Sequence, residues 1–563
     1  MASKISRFLS ELKRRKVYHV AVAYLVVGLG VIEGADLVQP TFEFSQRVLD
    51  ILVFLVVLGF PLALALAWVF EVKRETPPND VPTAPRPESA GDGRKSIVVL
   101  PFDNLSPDPG DVYFSDGLTE ETIANLSHIR SLRVISRSSA MVYRGTQKDV
   151  RTIGAELDIQ YVLEGSVRKA GDKLRITAQL IDAVSDEHLW AEKYDGVLGD
   201  VFDIQERVSR SIVDALRVSL APEEEQRLAE RPLEDIQAYE LYLMARRETF
   251  LGTAESLERA RLHLEKGLEL FGENIVLLQG LAEMYLHRYE AGIKADDETL
   301  GLAKGLSARI VALQPDSAYA HYLNGRIERF LGTNVHAALH WERAVAADPG
   351  HSSSVIFLFH TYGLLLGKLD QAAAMKRWVL ELDPLNAISW LSVGWYHWMR
   401  GELEETRAVY QRIREIAGPT PWESTFSAYL MVWEGRKTEA LSLLDDQIER
   451  DEQELHTEWA ILLRQAIIGE SVGDSLSETT REFLWNDPEA VWLAAGAFAL
   501  GGRKEEALDW IEHAVARGWI NYPLLSQDDP LLESLRSEPR YTELMRRVKR
   551  EWEAFKPNLR IPS

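Results

Sequence analysis

Six carboxylates fall between positions 103 and 121 of the stretch SIVVLPFDNLSPDPGDVYFSDGLTEE: Asp103, Asp108, Asp111, Asp116, Glu120 and Glu121. An acidic loop between an apolar run and a helix start is the layout of many hard-cation and phosphate sites. A calcium loop needs alternate oxygen ligands around a central Gly, and that spacing is absent. Asp116 suits a helix N-cap, with Thr119, Glu120 and Glu121 at the positive end of the helix dipole. Asp103 and Asn104 suit a turn closed by side-chain to backbone bonds. The expected role of the cluster is structural. Asp103, Asp111 and Asp116 form the ligand set of an alternative reading, in which this region binds a small ligand or nucleotide.

Other chemical signatures are weaker. Gly469-Glu470-Ser471-Val472-Gly473 matches the nucleophile elbow G-x-S-x-G, but an elbow must follow a buried strand, and Gly469 keeps the spacing of glycines that punctuate a helical array. Gly28-Leu29-Gly30-Val31-Ile32-Glu33-Gly34 lies in an apolar run and lacks dinucleotide spacing. The sequence has no Gly-Lys-Ser/Thr phosphate loop and no His-Glu-x-x-His helix, and its 13 histidines are scattered. It has no cysteine, so disulfides and thiolate chemistry are excluded. No residue is expected to be catalytic, and no cofactor or metal is expected.

The elements that would position any site begin with two apolar runs. Residues 17–38 and 48–70 each approach or exceed the roughly 20 residues that span a bilayer. They predict a two-helix transmembrane hairpin within residues 1–74. Lys4, Arg7, Lys13, Arg14, Arg15 and Lys16 precede it and Lys73 and Arg74 follow, which by the positive-inside rule places both ends and the body in the cytoplasm. The expected location is therefore a bacterial inner membrane, multi-pass, with lipid contacted by the two helices. Glu33 and Asp50 lie near the outer end of the spans, where a charge is cheap. Residues 75–95 carry five prolines and read as a linker.

Beyond residue 95 the chain is acidic, with 51 Lys and Arg against 76 Asp and Glu. A nucleic-acid backbone would be repelled by such a body, so nucleic acid is not expected as a partner. Residues 96–222 alternate strand and helix patterns: strands over 96–102, 132–136, 161–168, 173–182 and 187–194, and helices over 116–127, 149–157 and 201–220. Ala170-Gly171-Asp172 is the turn of a hairpin.

A period then takes over. Pro315, Pro349, Pro384 and Pro419 are 34, 35 and 35 residues apart, and Gly332, Gly367, Gly401, Gly435, Gly469 and Gly502 keep spacings of 33 to 35. Two residue types holding one period at a fixed offset predict stacked helix pairs, with Gly in the turn inside each pair and Pro at its exit. Roughly eight units are expected over 236–521, followed by a helical cap over 522–563. Trp378, Trp390, Trp395, Trp398, Trp422 and Trp433 crowd one part of the array. Core packing claims Trp390 and part of the rest. Arg326, Arg329, Trp395 and Trp398, on first helices of their units, are the expected lining of a groove for a partner protein or peptide.

These residues carry two resemblances. The unit from Ala318, with Gly325, Ala337, Ala344 and Pro349, resembles the tetratricopeptide repeat (TPR). PFDNLSPDPGDVYFSDGLTEET, VISRSS, YVLEGSVRKAGDKLRITAQLIDA and HLWAEKYDG, over about Ser96 to Leu220, resemble the TolB N-terminal-like domain that accompanies TPR arrays in bacterial membrane-bound regulators. In those relatives an adenylate cyclase or a winged helix supplies the output; here only the hairpin stands in that place. The resemblance implies a non-catalytic domain, and single-span relatives imply a periplasmic body as the alternative. The expected fold class is multi-domain: a transmembrane hairpin, an α/β TolB-like domain and an all-α TPR solenoid. The expected function is a non-enzymatic membrane scaffold for partner proteins in signalling or envelope regulation, and the alternative is a membrane-tethered sensor. The oligomeric state is not legible.

Overall fold

Ile97, Val98 and Val99 are β-branched and wholly buried, which is what a central strand covered on both faces requires. They lie in β1 (Lys95–Val99), the first strand in a computed structural model that describes residues 94–231, 233–418, 420–450 and 454–559. The strands β2 (Asp103–Asn104), β3 (Leu132–Val134), β4 (Tyr161–Ala170), β5 (Lys173–Asp182) and β6 (His188–Val197) complete a sheet of order β3-β1-β4-β5-β6, with β2 beside β4. The pairs of β1 with β3 and β4, and of β2 with β4, are parallel; β4–β5 and β5–β6 are antiparallel. Gly171, at φ +58°, makes the tight turn between β4 and β5.

Helices Val112–Ser127 and Val201–Ala215 lie against this sheet. The first starts four residues earlier than the sequence predicts. Asp108 rather than Asp116 supplies the cap: its Oδ1 accepts from the Gly110 amide at 2.7 Å, and a short 3₁₀ turn, Pro109–Asp111, leads into Val112. Asp116 is therefore inside the helix.

Eight helix pairs follow: Ile236–Leu251 with Ala254–Phe271, Ile275–Glu290 with Asp297–Leu313, Ala318–Phe330 with Asn334–Ala347, Ser352–His360 with Leu369–Leu382, Ala387–Met399 with Leu403–Ala417, Pro421–Trp433 with Lys437–Arg450, Glu454–Ile468 with Glu478–Asn486, and Pro488–Leu500 with Lys504–Ala516. A last helix, Pro539–Ala554, packs on the eighth pair. The six periodic glycines all have φ between 57° and 81°, so the period records a left-handed residue at each inter-helix turn. Gly325 carries a second constraint. A Cβ there would lie 2.3 Å from Trp341 Nε1, so only Gly lets the two helices of the third pair meet.

The array coils back on itself. Pro488–Leu500 has ten consecutive buried residues, Ala490 to Ala499, as a helix enclosed on all sides must. It lies against the first helices of earlier pairs: Trp492 is 5.9 Å from Trp395, 6.1 Å from Trp398 and 6.3 Å from Trp433 between ring centres. Just beyond the eighth pair, Asn521 Nδ2 donates to Leu364 O at 2.8 Å and Arg517 Nη2 donates to Phe330 O at 2.8 Å.

The observed class corrects the expected one. The described chain is mostly helical with a small mixed sheet, and none of its helices is long and apolar enough to cross a membrane. The transmembrane hairpin is accordingly removed from the fold class, and the multi-pass inner-membrane location that rested on it is withdrawn. The runs 17–38 and 48–70, which carried that expectation, lie outside the described residues, as does residues 75–93 of the linker.

Candidate functional site

The acidic residues of the first loop do not converge. Asp103 is exposed on β2. Asp111 lies 3.3 Å from Lys169 Nζ, which also reaches Glu240 at 2.6 Å. Asp116 pairs with Arg144. Glu120, nearly inaccessible, takes Arg137 and Arg246. Glu121 accepts from Gln205, and burial pushes its carboxyl up to about 7. Each of these carboxylates except Asp103 meets a cation or amide of its own chain. Among the described residues no group of three or more potential ligands could hold a metal ion.

Several of these contacts tie the sheet domain to the array. Arg246 and Glu240 belong to the first array helix, and a Cβ on Gly117 would fall 2.4 Å from Leu243, so the two surfaces touch through a glycine. A second junction uses the VISRSS segment. Asp383, buried in the turn after the fourth pair, accepts from Ser138 Oγ at 2.9 Å and Ser139 Oγ at 2.6 Å, and from Ser136 Oγ. The Ser136 amide donates to Leu382 O at 2.8 Å, and the Leu385 amide to Ser139 Oγ at 2.9 Å. A buried carboxylate with three hydroxyl donors is well satisfied. Sequence reasoning used these serines only for resemblance; an Asp-Pro pair at a repeat exit gave no hint that it would receive them.

The four residues expected to line a groove lie inside the coil. Trp395 and Trp398 are each 1% exposed and stack on one another at 5.2 Å. Arg326, 3% exposed, reaches Glu290 Oε2 at 2.5 Å. Arg329 Nη2 donates to Glu489 Oε1 at 2.8 Å, and the same oxygen lies 2.5 Å from His360 Nε2. Burial would raise the Glu489 carboxyl, but Arg329 and His360 outweigh it and hold it well below the usual range. Burial and the Glu489 charge push its neighbour Asp487 the other way. Trp395, Trp398 and Arg329 thus share the final pair as a common neighbour, while Arg326 stands apart with Tyr322 and Glu290.

One narrow cleft among the described residues lies on the first two pairs, bordered by Tyr242, Arg246, Phe250, Leu264, Glu283 and His287; a wider one lies on the sixth and seventh pairs around Asp445, Arg464 and Gln465. Phe250 is 47% exposed, with the Arg137 guanidinium 3.8 Å above its ring centre. Burial pushes the Glu283 carboxyl up, and the neighbouring His287, a hydrogen bond from Tyr319 and the Arg326 charge reverse this and hold it at about 2. The narrow cleft thus offers an apolar ring, a carboxylate and cations, a mixture suited to protein recognition. The elbow-like Gly469–Gly473 segment, by contrast, is the turn after helix Glu454–Ile468, with Ser471 exposed and no strand before it.

Residues 93–210 match the family model described as HilA/YgeH-like transcriptional regulator, second domain, and residues 366–420 match the tetratricopeptide repeat. Residues 366–420 of the array are thus of the tetratricopeptide-repeat type, a class that supports a protein-binding scaffold. The TolB-like resemblance is not the name this match gives the sheet domain. A protein of Rhizobium meliloti (strain 1021) named "Putative adenylate cyclase 3" is 43% identical over 203 residues, 36% of this chain and 34% of its own length. The chain therefore spans about a third of that curated relative. Among solved structures, the lipoprotein GNA1162 from Neisseria meningitidis is 18% identical, with 22% of this chain and 99% of that one covered and a TM-score of 0.18. The APC/C hetero-tetramer Cut9-Hcn1 is 14% identical, with 62% and 74% covered and a TM-score of 0.33.

Proposed function

We propose that this chain is a non-enzymatic scaffold that binds a partner protein at the cleft of the first two repeat pairs. The observation that carries the reading is the half-exposed Phe250 ring, set among Arg246, Glu283 and His287 on an array whose inner face further along is filled by its own last pair. Tetratricopeptide arrays expose few chemically reactive constellations and much shaped surface, and an aromatic anchor beside fixed charges is how such a surface gains affinity. The part of Arg326, Arg329, Trp395 and Trp398 in this reading is indirect: they hold the coil that presents the cleft. The sensor reading through Asp103, Asp111 and Asp116 gains no support from their placement, since Asp111 pairs with Lys169, Asp116 with Arg144, and Asp103 is exposed on β2.

The test is capture of a partner by the full chain carrying a photo-crosslinking residue at position 250, compared with the same residue at exposed Leu270 on the second helix of the first pair. The expected result is a defined adduct from position 250 only, lost when His287 and Glu283 are both replaced by Ala. Equal adducts from both positions, or none from either, would sink the proposal.

A further inference from the structure

The sheet ends at β6, which pairs with β5 along one edge. Among the described residues, the other edge of β6 takes up one hydrogen bond, from the Val197 amide to Asp200 Oδ2 at 2.8 Å. The next amide, that of Leu198, donates back to Asp172 O at 2.7 Å. Amides alternate in direction along an antiparallel strand, so those of Ala191, Lys193 and Asp195 point outward as Val197 does. Leu189 and Val197 are 43% and 51% exposed. A ten-residue edge of this kind is a template for another strand.

We propose that β6 pairs with β6 of a second copy, antiparallel, about a two-fold axis that passes through Tyr194 perpendicular to the sheet. The partner follows from self-complementarity. A perpendicular two-fold keeps every residue on its own face, so each must oppose a residue of the same parity, and the residue on the axis fixes the register. With Tyr194 on the axis, Lys193 opposes Asp195 of the second copy, and Asp195 opposes its Lys193. Ala191 opposes Val197 of the second copy, apolar against apolar. The outward amides of Lys193 and Asp195 face each other and exchange both backbone bonds. An axis through Lys193 or Asp195 instead sets like charges face to face, which is unfavourable. Within one chain Asp195 already meets Arg175 of β5 at 2.5 Å on Oδ1 and Lys193 at 3.3 Å on Oδ2, so pairing adds the second copy's Lys193 to an existing row of alternating charge and extends it across the joined sheets. The ladder stops at Val197, whose amide is held by Asp200.

The full chain contains no cysteine, so introduced thiols report without background. By sedimentation, Lys193→Asp alone and Asp195→Lys alone are each expected to weaken the dimer about tenfold, and the double exchange to restore it. In a mixture of Ala191→Cys and Val197→Cys chains, mild oxidation is expected to form an interchain disulfide that neither variant forms alone. All four positions are exposed on the strand, so the variants are expected to keep the melting temperature of the parent chain. A monomeric full chain overturns the proposal. So does a dimer that ignores the charge exchange and gives no mixed disulfide, and so does an edge that pairs only with an added peptide.

Discussion

Arg329 and Glu489 are 160 positions apart in the chain and 2.8 Å apart in space. The pair joins the third repeat pair to the eighth, and His360 from the fourth shares the same carboxylate oxygen. Both members are largely removed from water, with side chains 16% and 12% exposed. Deleting one charge leaves the other stranded, which costs far more than losing a surface pair. Glu489→Gln is expected to destabilise the chain by about 3 kcal/mol in urea unfolding. Glu543→Gln, which removes the exposed contact to Arg546, is expected to cost less than about 0.5 kcal/mol. Equal losses would show that the closure carries no special load.

Asp529 gives a pH signature. It is wholly buried, receives Trp492 Nε1 at 2.7 Å on Oδ2, and burial pushes its carboxyl up to about 6. A carboxyl raised in the folded state contributes stability that is fully present below its ordinary value near 3.8 and is lost as pH rises through about 6. From pH 4 to pH 7 this group alone is expected to remove about 2 kcal/mol. Asp529→Asn keeps an acceptor for only one of the two donors, the indole on Oδ2 or the Leu531 amide on Oδ1, and is less stable throughout; because it cannot ionise, its melting temperature is expected to fall less than the parent's over the same interval. An unchanged pH slope would refute the assignment.

Asp383 is expected to govern how the sheet domain is seated. Asp383→Ala strands the hydroxyls of Ser136 and Ser139 in a buried junction and is expected to cost about 3 kcal/mol. Ser138→Ala removes only the donor that is exposed to water, and about 1 kcal/mol or less is expected. Amide hydrogen exchange in Leu132–Val134 and the following turn checks where the loosening occurs: it should rise in the Asp383 variant and stay near the parent in the Ser138 variant.

The periodic glycines are expected to fall into two groups. All are left-handed, so alanine strains each by about 1 kcal/mol. At Gly401 a Cβ meets open space, and that strain is the whole effect. At Gly332 the Cβ would lie 2.8 Å from the Cα of Arg517, and at Gly367 it would lie 2.3 Å from Asn521 Oδ1. Gly332→Ala and Gly367→Ala are therefore expected to lower the melting temperature clearly more than Gly401→Ala. Three equal shifts would contradict the coiling of the array.

Much of the local structure was legible because its causes are local. A left-handed turn demands Gly wherever it recurs, so the 34-residue spacing showed the helix pairs directly. The hairpin at Ala170-Gly171-Asp172 and the alternation of Leu174, Ile176, Ala178 and Leu180 did the same for β4 and β5. Asp116 was misread because an N-cap and a residue in the second turn of a helix look alike when the true start, Val112-Tyr113-Phe114, is apolar and preceded by a 3₁₀ turn capped by Asp108. The coil itself was not legible. Repeat units resemble one another, so nothing marks which of them Trp395 will meet, and an aromatic residue on a first helix reads as groove lining until its occupant is known. One signal was available: Ala490 to Ala499 has no polar face, which no helix at the open end of an array can sustain. The cleft at Phe250 escaped notice because its residues come from three helices and form no motif.

An open solenoid of repeats can lengthen or shorten by whole units, since each touches only its neighbours. The contacts of Gly332 with Arg517 and of Gly367 with Asn521 forbid that freedom here. Adding or deleting one repeat between those partners would carry each glycine past its counterpart and leave Glu489 without Arg329. Duplication, the ordinary route by which repeat proteins change size, is thus barred within this stretch, and the number of repeats becomes as fixed a property of the molecule as the order of strands in its sheet.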